Sequence, residues 1–401
     1  MINAGEALRI ILDSTAPLKS ERIKLVDAPG RVLADDVIAK VNIPPFDNSS
    51  MDGFAVIASD LDRTSESNPV SLKIAGESSA GNPFQKKLKS GFAVRVMTGG
   101  VIPAGADAIV PIEMANTSGS EDVSFANPAQ RGQCIRLAGE DIQRGEIILK
   151  RGMVLDPPQI GILASLGLSK VRLYRKPHVN LLATGDEIVD IHKSPKEGQI
   201  RNSTTHTLAA YVDREGGEAE SLGIVPDKRK RLKNKVKEGL DADILLITGG
   251  VSVGKYDYVK EILEALGVEI KFWRVNIKPG RPLVFGLWKK TLVFGLPGNP
   301  VSTSVTFLQF VRPALHKMSG RIPSPPIRLT ATIDHEFSKS DGKRHYVRCI
   351  VEPVDGQLVA RSTGTQSSGV MSSMSKANAL MIVPESVSIL QRGDPVQVEL
   401  L

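Results

Sequence analysis

Residues 244–258 read ILLITGGVSVGKYDY. The first five are apolar or β-branched with no polar alternation, which suits a central strand covered on both faces. Gly249, Gly250 and Gly254 then allow a sharp turn and let a ligand approach the main chain. Exposed N–H groups in such a turn bind anions. From Asp257 onward, Val259, Ile262, Leu263 and Leu266 fall on one helical face, with Asp257 as N-cap and Gly267 as stop. Strand, glycine turn and helix is the layout of a phosphate site. A tight connection without a ligand has the same outline, so the stretch must be read with its neighbours.

The chain has 401 residues, room for two to four domains. The formal net charge is +7, but only 4% of residues are aromatic and acids are interleaved with bases. That balance suits small phosphorylated or oxyanionic substrates as well as it suits nucleic acid, and no nucleic-acid partner is expected. The densest basic run, DKRKRLKNKVK at 227–237, reads as the solvated face of a helix capped by Asp227. Cys134 and Cys349 make no CxxC pair, and the six histidines make no HxxH or HxxxH pair. A disulfide framework, a structural zinc and a histidine-built metal site are therefore not expected, and a reducing compartment is. The opening MINAGEALRIILDS carries Glu6 and Asp13 within its apolar pattern and reads as a helix capped by Asn3, not a signal peptide. No apolar stretch reaches membrane-spanning length, so a soluble cytoplasmic protein without membrane contact is expected.

Residues 1–45 give a helix and a short strand-like stretch ending at Pro44-Pro45. Residues 46–142 read as short strands with many turns (FAVIAS, VSLKIAG, FAVRVMTGG, DAIVPIE), a β-rich domain. Residues 143–174 include a second helix, PPQIGILASLG, punctuated by its Pro-Pro start and Gly167 stop. Residues 175–320 alternate strands (HVNLLAT, ADILLIT, VEIKFWRV, RPLVFGL, TLVFGLP) with helices at 203–215, 227–239, 257–266 and 300–318. This predicts a three-layer α/β domain. Residues 321–401 read as five or so strands with no long helix, after a GRIPSPPI linker at 320–327.

Ligands of such α/β domains sit at the carboxyl ends of the strands. TGDE (184–187), TGGVSVGKYD (248–257), IKPGRP (277–282) and LPGNP (296–300) all adjoin strand ends. Together they supply backbone amides, three carboxylates (Asp186, Glu187, Asp257) and two fixed cations (Lys278, Arg281). Carboxylates beside cations and amides suit a phosphate held with Mg²⁺. Helix capping is the ordinary alternative for the acids.

These loops, with LPGNPVS and KPGRP read in full, resemble those of the molybdopterin molybdotransferase family, the MoeA and gephyrin E-domain type. So do PPFDNSSMDGFA (44–55), RVMTGGVIPAGADAIV (95–110), RLAGEDI (136–142) and SSMSKANAL (372–380), in the family's order along nearly the whole chain. The resemblance implies insertion of molybdate into adenylylated molybdopterin, with release of AMP and a dependence on Mg²⁺. It implies an elongated homodimer of four domains per chain. A linker domain is made of 1–45 and 143–174, 46–142 is a β-rich insert, 175–320 binds molybdopterin and 321–401 is a C-terminal β domain. The site would lie between the α/β domain of one subunit and the β-rich domain of the other. Transient contacts with a molybdopterin adenylyltransferase and molybdoenzyme chaperones are expected partners.

Carried over residue by residue, Asp52, Asp141, Glu187, Asp227 and Asp257 match catalytic acids, with Thr98 and Asp141 near Asp52 in the family's site. Asp186 and Glu187 match metal and phosphate acids. Gly249, Gly250, Ser252 and Gly254 shape the glycine loop. Lys278, Arg281 and Pro282 match the loop that meets molybdate, and Pro297, Gly298, Asn299 and Pro300 shape the rim. Arg348 and Ser368 match C-terminal contacts to oxyanion or pterin. Three have ordinary alternatives: Asp52 closing a turn before Gly53, Asp141 capping, and Arg348 exposed on an alternating strand. The chain departs from the family at Arg281, where many members have Lys, at Lys255, where Glu is expected, and at Gly369, where Arg often stands. An adenylyltransferase would carry a Gly-Gly-Thr-Gly turn in place of Gly249-Gly250-Val251-Ser252. Molybdate and tungstate, both tetrahedral dianions of nearly one size, are not separated by the sequence.

Overall fold

The computed structural model describes residues 1–117, 121–250, 258–323 and 325–401. The chain forms two compact units. One contains Met1–Asp35, Arg151–Asp156 and Lys170–Leu401; the other contains Asp36–Lys150 and Pro157–Ser169.

The first unit is organised around a sheet that, among the described residues, has six strands. Their order is Glu218–Val225, His178–Thr184, Ile244–Thr248, Thr291–Leu296, Pro282–Trp288, Glu269–Arg274. The first four run parallel and the last two are added antiparallel. Every side chain of Ile244–Thr248 is buried, as its unbroken apolar run requires. Ile244 and Leu246 join a core with Leu208, Val212, Val305 and Phe310 on one face. Leu245 and Ile247 join Leu232, Val236, Ile262 and Leu263 on the other. The three layers thus follow from one strand whose alternate residues meet two helix layers.

Helices Thr204–Arg214, Arg229–Gly239 and Val259–Ala265 lie near their expected positions. The expected 300–318 helix is Pro300–Thr306 and Arg312–Met318 joined by a π-helical segment, Phe307–Val311. Pro313 lacks the N–H that a continuous ladder needs, which accounts for the widened turn before it. Asp227 does not cap the basic helix. Its N-cap is Lys228, with no side-chain cap bond, and the Asp227 carboxylate is engaged elsewhere. The N-cap expected at Asp257 lies outside the described residues. The edge strand Glu218–Val225 has no counterpart among the expected strands, because its half-exposed sequence carries no buried run.

At the N-terminus the Asn3 side chain accepts the Glu6 N–H at 2.8 Å, the expected cap. Ser20–Lys24 pairs antiparallel with Lys170–Tyr174. After residue 325, strands Arg344–Val354, Gln357–Ser362, Arg328–Ile333, Pro395–Leu400 and Ala379–Val383 pair in a closed ring. Val347, Cys349, Met381 and Val398 fill its interior. A two-residue strand from the α/β region, Ile277–Lys278, pairs with Arg344 and His345 of this barrel.

The second unit has a sheet in the order Ala108–Pro111, Gly53–Val56, Phe92–Val96, Val70–Ser78, Asp122–Phe125, Ala115–Asn116. Phe54, Leu72, Val110, Val123 and Phe125 form its core.

Candidate active site

Thr184, Thr248 and Leu296 end three adjacent parallel strands. The register pairs Ala183 with Thr248 and Thr248 with Leu296, so the TGDE, TGG and LPGNP loops leave the sheet at one level. They enclose a hollow of about 350 Å³ lined by Thr184, Glu187, Thr248, Gly249, Gly250, Pro282 and the Pro297, Gly298, Asn299 and Pro300 turn. Ser252, Gly254 and Asp257, and with them Lys255, lie outside the described residues.

The glycines are required by geometry. Gly249 has φ of +89°, and a Cβ there would stand 2.4 Å from the Thr184 carbonyl oxygen. Its N–H donates to the Leu296 carbonyl at 3.2 Å. Gly298 packs beside Gly249, so part of the lining is bare main chain.

The opposite wall is the start of the Thr204–Arg214 helix. Asn202, Ser203 and Thr204 line the hollow, Asn202 donates to Thr205 Oγ1 at 2.7 Å, and the Thr204 and Thr248 hydroxyls are 3.3 Å apart. The sequence reading did not nominate these residues. A polar RNST run opening a helix after a strand was the available signal, since helix N-termini favour anions.

The acids divide. Asp227 Oδ1 accepts from Thr184 Oγ1 at 2.6 Å, and the Asp227 N–H donates to Asp186 Oδ1 at 3.2 Å. Asp186 lines a neighbouring hollow of about 410 Å³, whereas Glu187 lines the first and folds back over Gly185. The two carboxylates expected to share a metal thus line adjacent hollows, with Ile188 in the wall of both. Among the described residues no three His, Cys, Asp or Glu side chains cluster at metal-binding distance. Mg²⁺ asks for less, since one or two carboxylates suffice when substrate phosphates and water fill the rest. The hard oxygens of Asp186 and Glu187 fit that requirement, and Asp186 already accepts a hydrogen bond from main chain that fixes its direction.

Of Lys278 and Arg281, only Lys278 has a described acid partner. The Lys278 ammonium is 3.5 Å from Asp341, while Arg281 makes no described side-chain ion pair or hydrogen bond. Asp341 also accepts from His345 Nε2 at 2.8 Å and from Lys343 Nζ at 3.2 Å. Burial would raise its carboxyl pKa, but the bonds from His345 and Lys343 outweigh this and hold it well below the usual range. Burial lowers the His345 pKa in turn.

Arg348 is not an exposed strand residue; it is 1% exposed. Its Nε donates to Ser373 Oγ at 3.1 Å, and its Nη2 donates to the Ser367 and Thr365 carbonyls at 3.0 and 3.3 Å. This pins the turn that carries Ser368. Ser368 Oγ accepts from Asn299 Nδ2 at 3.0 Å, and its carbonyl accepts the Val301 N–H. Ser368 thus joins the cavity rim from the barrel side, and Arg348 holds it there.

In the second unit, Asp52 Oδ1 accepts from the Thr98 N–H at 2.7 Å and from Thr98 Oγ1 at 2.8 Å. The backbone bond, then the hydroxyl bond, lowers the Asp52 pKa. Asp141 is exposed, and no described hydrogen bond joins its side chain to Asp52 or Thr98.

Fold and loops define the chain as a three-layer α/β ligand-binding protein that also carries a β-rich unit and a C-terminal barrel. Three domain families match it in series: the MoeA N-terminal region (domain I and II) over residues 2–167, a probable molybdopterin binding domain over 180–317, and the MoeA C-terminal region (domain IV) over 330–401. It is 36% identical over 386 residues to the molybdopterin molybdenumtransferase of Haemophilus influenzae, covering 96% of this chain and 94% of that one. It is 34% identical over 404 residues to the Bacillus subtilis protein of the same name, covering 100% and 94%. The crystal structure of a molybdopterin biosynthesis moeA protein from Pyrococcus horikoshii superposes with a TM-score of 0.86 at 32% identity, with both chains fully covered. The chain belongs to the molybdopterin molybdenumtransferase (MoeA) family.

Proposed function

We propose that this chain inserts molybdate into adenylylated molybdopterin in a Mg²⁺-dependent reaction that releases AMP and molybdenum cofactor. The observation that carries the reading is the shared cavity to which the TGDE, TGG and LPGNP loops all contribute, with Glu187, Thr248 and Asn299 in its wall. Its main-chain lining and the nearby helix start suit phosphate oxygens. Bound Mg²⁺ would offset phosphate charge. Asp186 and Glu187 would hold it, and the Asp227 amide orients Asp186. Asp227 and Asp257 are the remaining acids for directing water at the phosphoanhydride, and Asp257 acts from the glycine loop with Ser252 and Gly254. Lys278 and Arg281 receive the molybdate dianion, with Pro282 shaping the wall. Ser368, kept in place by Arg348, closes the barrel side.

The protein is proposed to act in the cytoplasm as a homodimer, meeting an adenylyltransferase and molybdoenzyme chaperones only transiently. Among the described residues no helix is long and apolar enough to cross a membrane. Asp52, with Thr98 and Asp141, is assigned to the cavity of the second copy. Purified protein is mixed with adenylylated molybdopterin and molybdate, with Mg²⁺ or with chelator. AMP release and activation of an apo-molybdoenzyme are then measured. No molybdate-dependent AMP release refutes the reading, and release undiminished by chelator refutes the Mg²⁺ assignment alone. Mixing inactive Asp52→Ala and Glu187→Gln chains tests the shared site. Heterodimers that form without regaining activity count against it.

A further inference from the structure

The contact between Lys278 and Asp341 has a consequence for how the dianion is captured. Lys278 lies on the two-residue strand that pairs with Arg344 and His345, so the barrel fixes its backbone. Its side chain is 58% exposed and reaches the Asp341 carboxylate at 3.5 Å. Asp341 is itself immobilised by His345, by the Lys343 ammonium and by the Lys343 N–H at 3.3 Å. One carboxylate therefore serves two ammonium groups, while Arg281, three residues along, has no described acid partner. No other described acid lies within ion-pair distance of Lys278.

We propose that Asp341 is a positioning residue that competes with molybdate for Lys278, docking the ammonium on the barrel until a dianion displaces it. The proposal rests on the reading of Lys278 as an oxyanion residue. Two physical points set its sign. Asp341 cannot follow Lys278 into the site, because three bonds hold it. And an exposed ion pair of this kind is weak enough for a dianion to break. The carboxylate thus weakens molybdate binding by about the worth of the pair, without taking part in the chemistry.

The test is steady-state kinetics in molybdate at saturating adenylylated molybdopterin and Mg²⁺, with melting temperature measured alongside. Asp341→Asn keeps the shape and removes the charge. Its KM for molybdate is expected to fall about three- to fivefold, with kcat changed less than about twofold. Asp341→Glu restores the charge and should return KM toward the wild-type value. Lys278→Met should raise KM, and adding Asp341→Asn to it should bring no further change, because the carboxylate acts through the lysine. Asp341→Ser repeats the charge removal if the Asn chain does not fold. If KM rises or stays constant in the charge-removed chains while Lys278→Met raises it, the competition is refuted and the role of Lys278 stands. If Lys278→Met leaves molybdate dependence untouched, the oxyanion assignment falls and the competition with it. An equal fall in KM with and without Lys278 would show a general field effect and refute the specific pairing.

Discussion

Replacing Arg348 by Met tests whether a buried cation serves this site by touching the substrate or by holding a turn. The guanidinium makes three described hydrogen bonds, two of them to carbonyls of the 365–367 turn. Charge-assisted bonds are worth about 1.5–3 kcal/mol each in place. Two offsets reduce the net cost. Thr365 and Ser367 are exposed, so their carbonyls regain water, and Ser373 Oγ keeps its own bond to the Val370 carbonyl. Burial also disfavours the charged arginine, which has no carboxylate within ion-pair distance among the described residues, and Met removes that penalty. The balance is a loss of about 1–3 kcal/mol, or roughly 3–10 °C in Tm for a unit of this size. Activity should fall further, about tenfold or more, because Ser368 is no longer held on Asn299. Calorimetry gives Tm, and hydrogen–deuterium exchange should show faster exchange at 365–370 with Ile244–Thr248 unchanged. A Met variant with wild-type Tm and exchange, but a raised molybdate KM, would show that Arg348 binds the anion directly and that the pinning role is wrong.

Arg281→Ala should raise the molybdate requirement about ten- to hundredfold, as loss of one charge-assisted contact predicts, and leave binding of adenylylated molybdopterin nearly unchanged. Molybdate titration separates the two; a fall in pterin affinity alone would reassign the loop to the pterin phosphate. Asp186→Asn and Glu187→Gln should lose turnover while Tm stays within about 2 °C, since both acids adjoin open hollows and not the core. A large Tm loss with normal turnover in the surviving protein would make them structural. Burial keeps the folded pKa of His345 below its ordinary 6.5, so the unfolded chain binds the extra proton first. Stability is therefore full above 6.5 and declines as pH falls from there through the lowered folded value. Tm measured from pH 8 to 5 should show this slope in the wild type and a shallower one in His345→Gln; equal slopes would rule out His345 as the source.

The three layers were readable because Ile244–Ile247 is an unbroken apolar run and its parallel neighbours are mostly apolar, a signal that survives without tertiary knowledge. Glu218–Val225 was not readable, since an edge strand half open to water needs no apolar run. Glu187, Gly249 and Asn299 were legible as strand-end chemistry, and the structure gathers them in one hollow. Ser368 could be reached only through family resemblance, because its bond to Asn299 spans 69 positions. The Asp227 cap failed for a related reason. Local spacing favours capping, but a threonine 43 residues earlier holds the carboxylate instead. Asp341 gave no signal at all, as nothing in SKSDGKRH shows that Lys278 will come to lie beside it.

The approach of Gly249 to Thr184 and Gly298 also bears on how far the pocket can be altered. A surface made of peptide units offers no side chain to exchange, and a Cβ at Gly249 would collide with a carbonyl oxygen. Directed evolution toward another phosphorylated ligand therefore has no foothold at that point. Useful variation lies with the lining positions that do carry side chains, among them Asn202, Ser203, Thr204, Pro282 and Asn299.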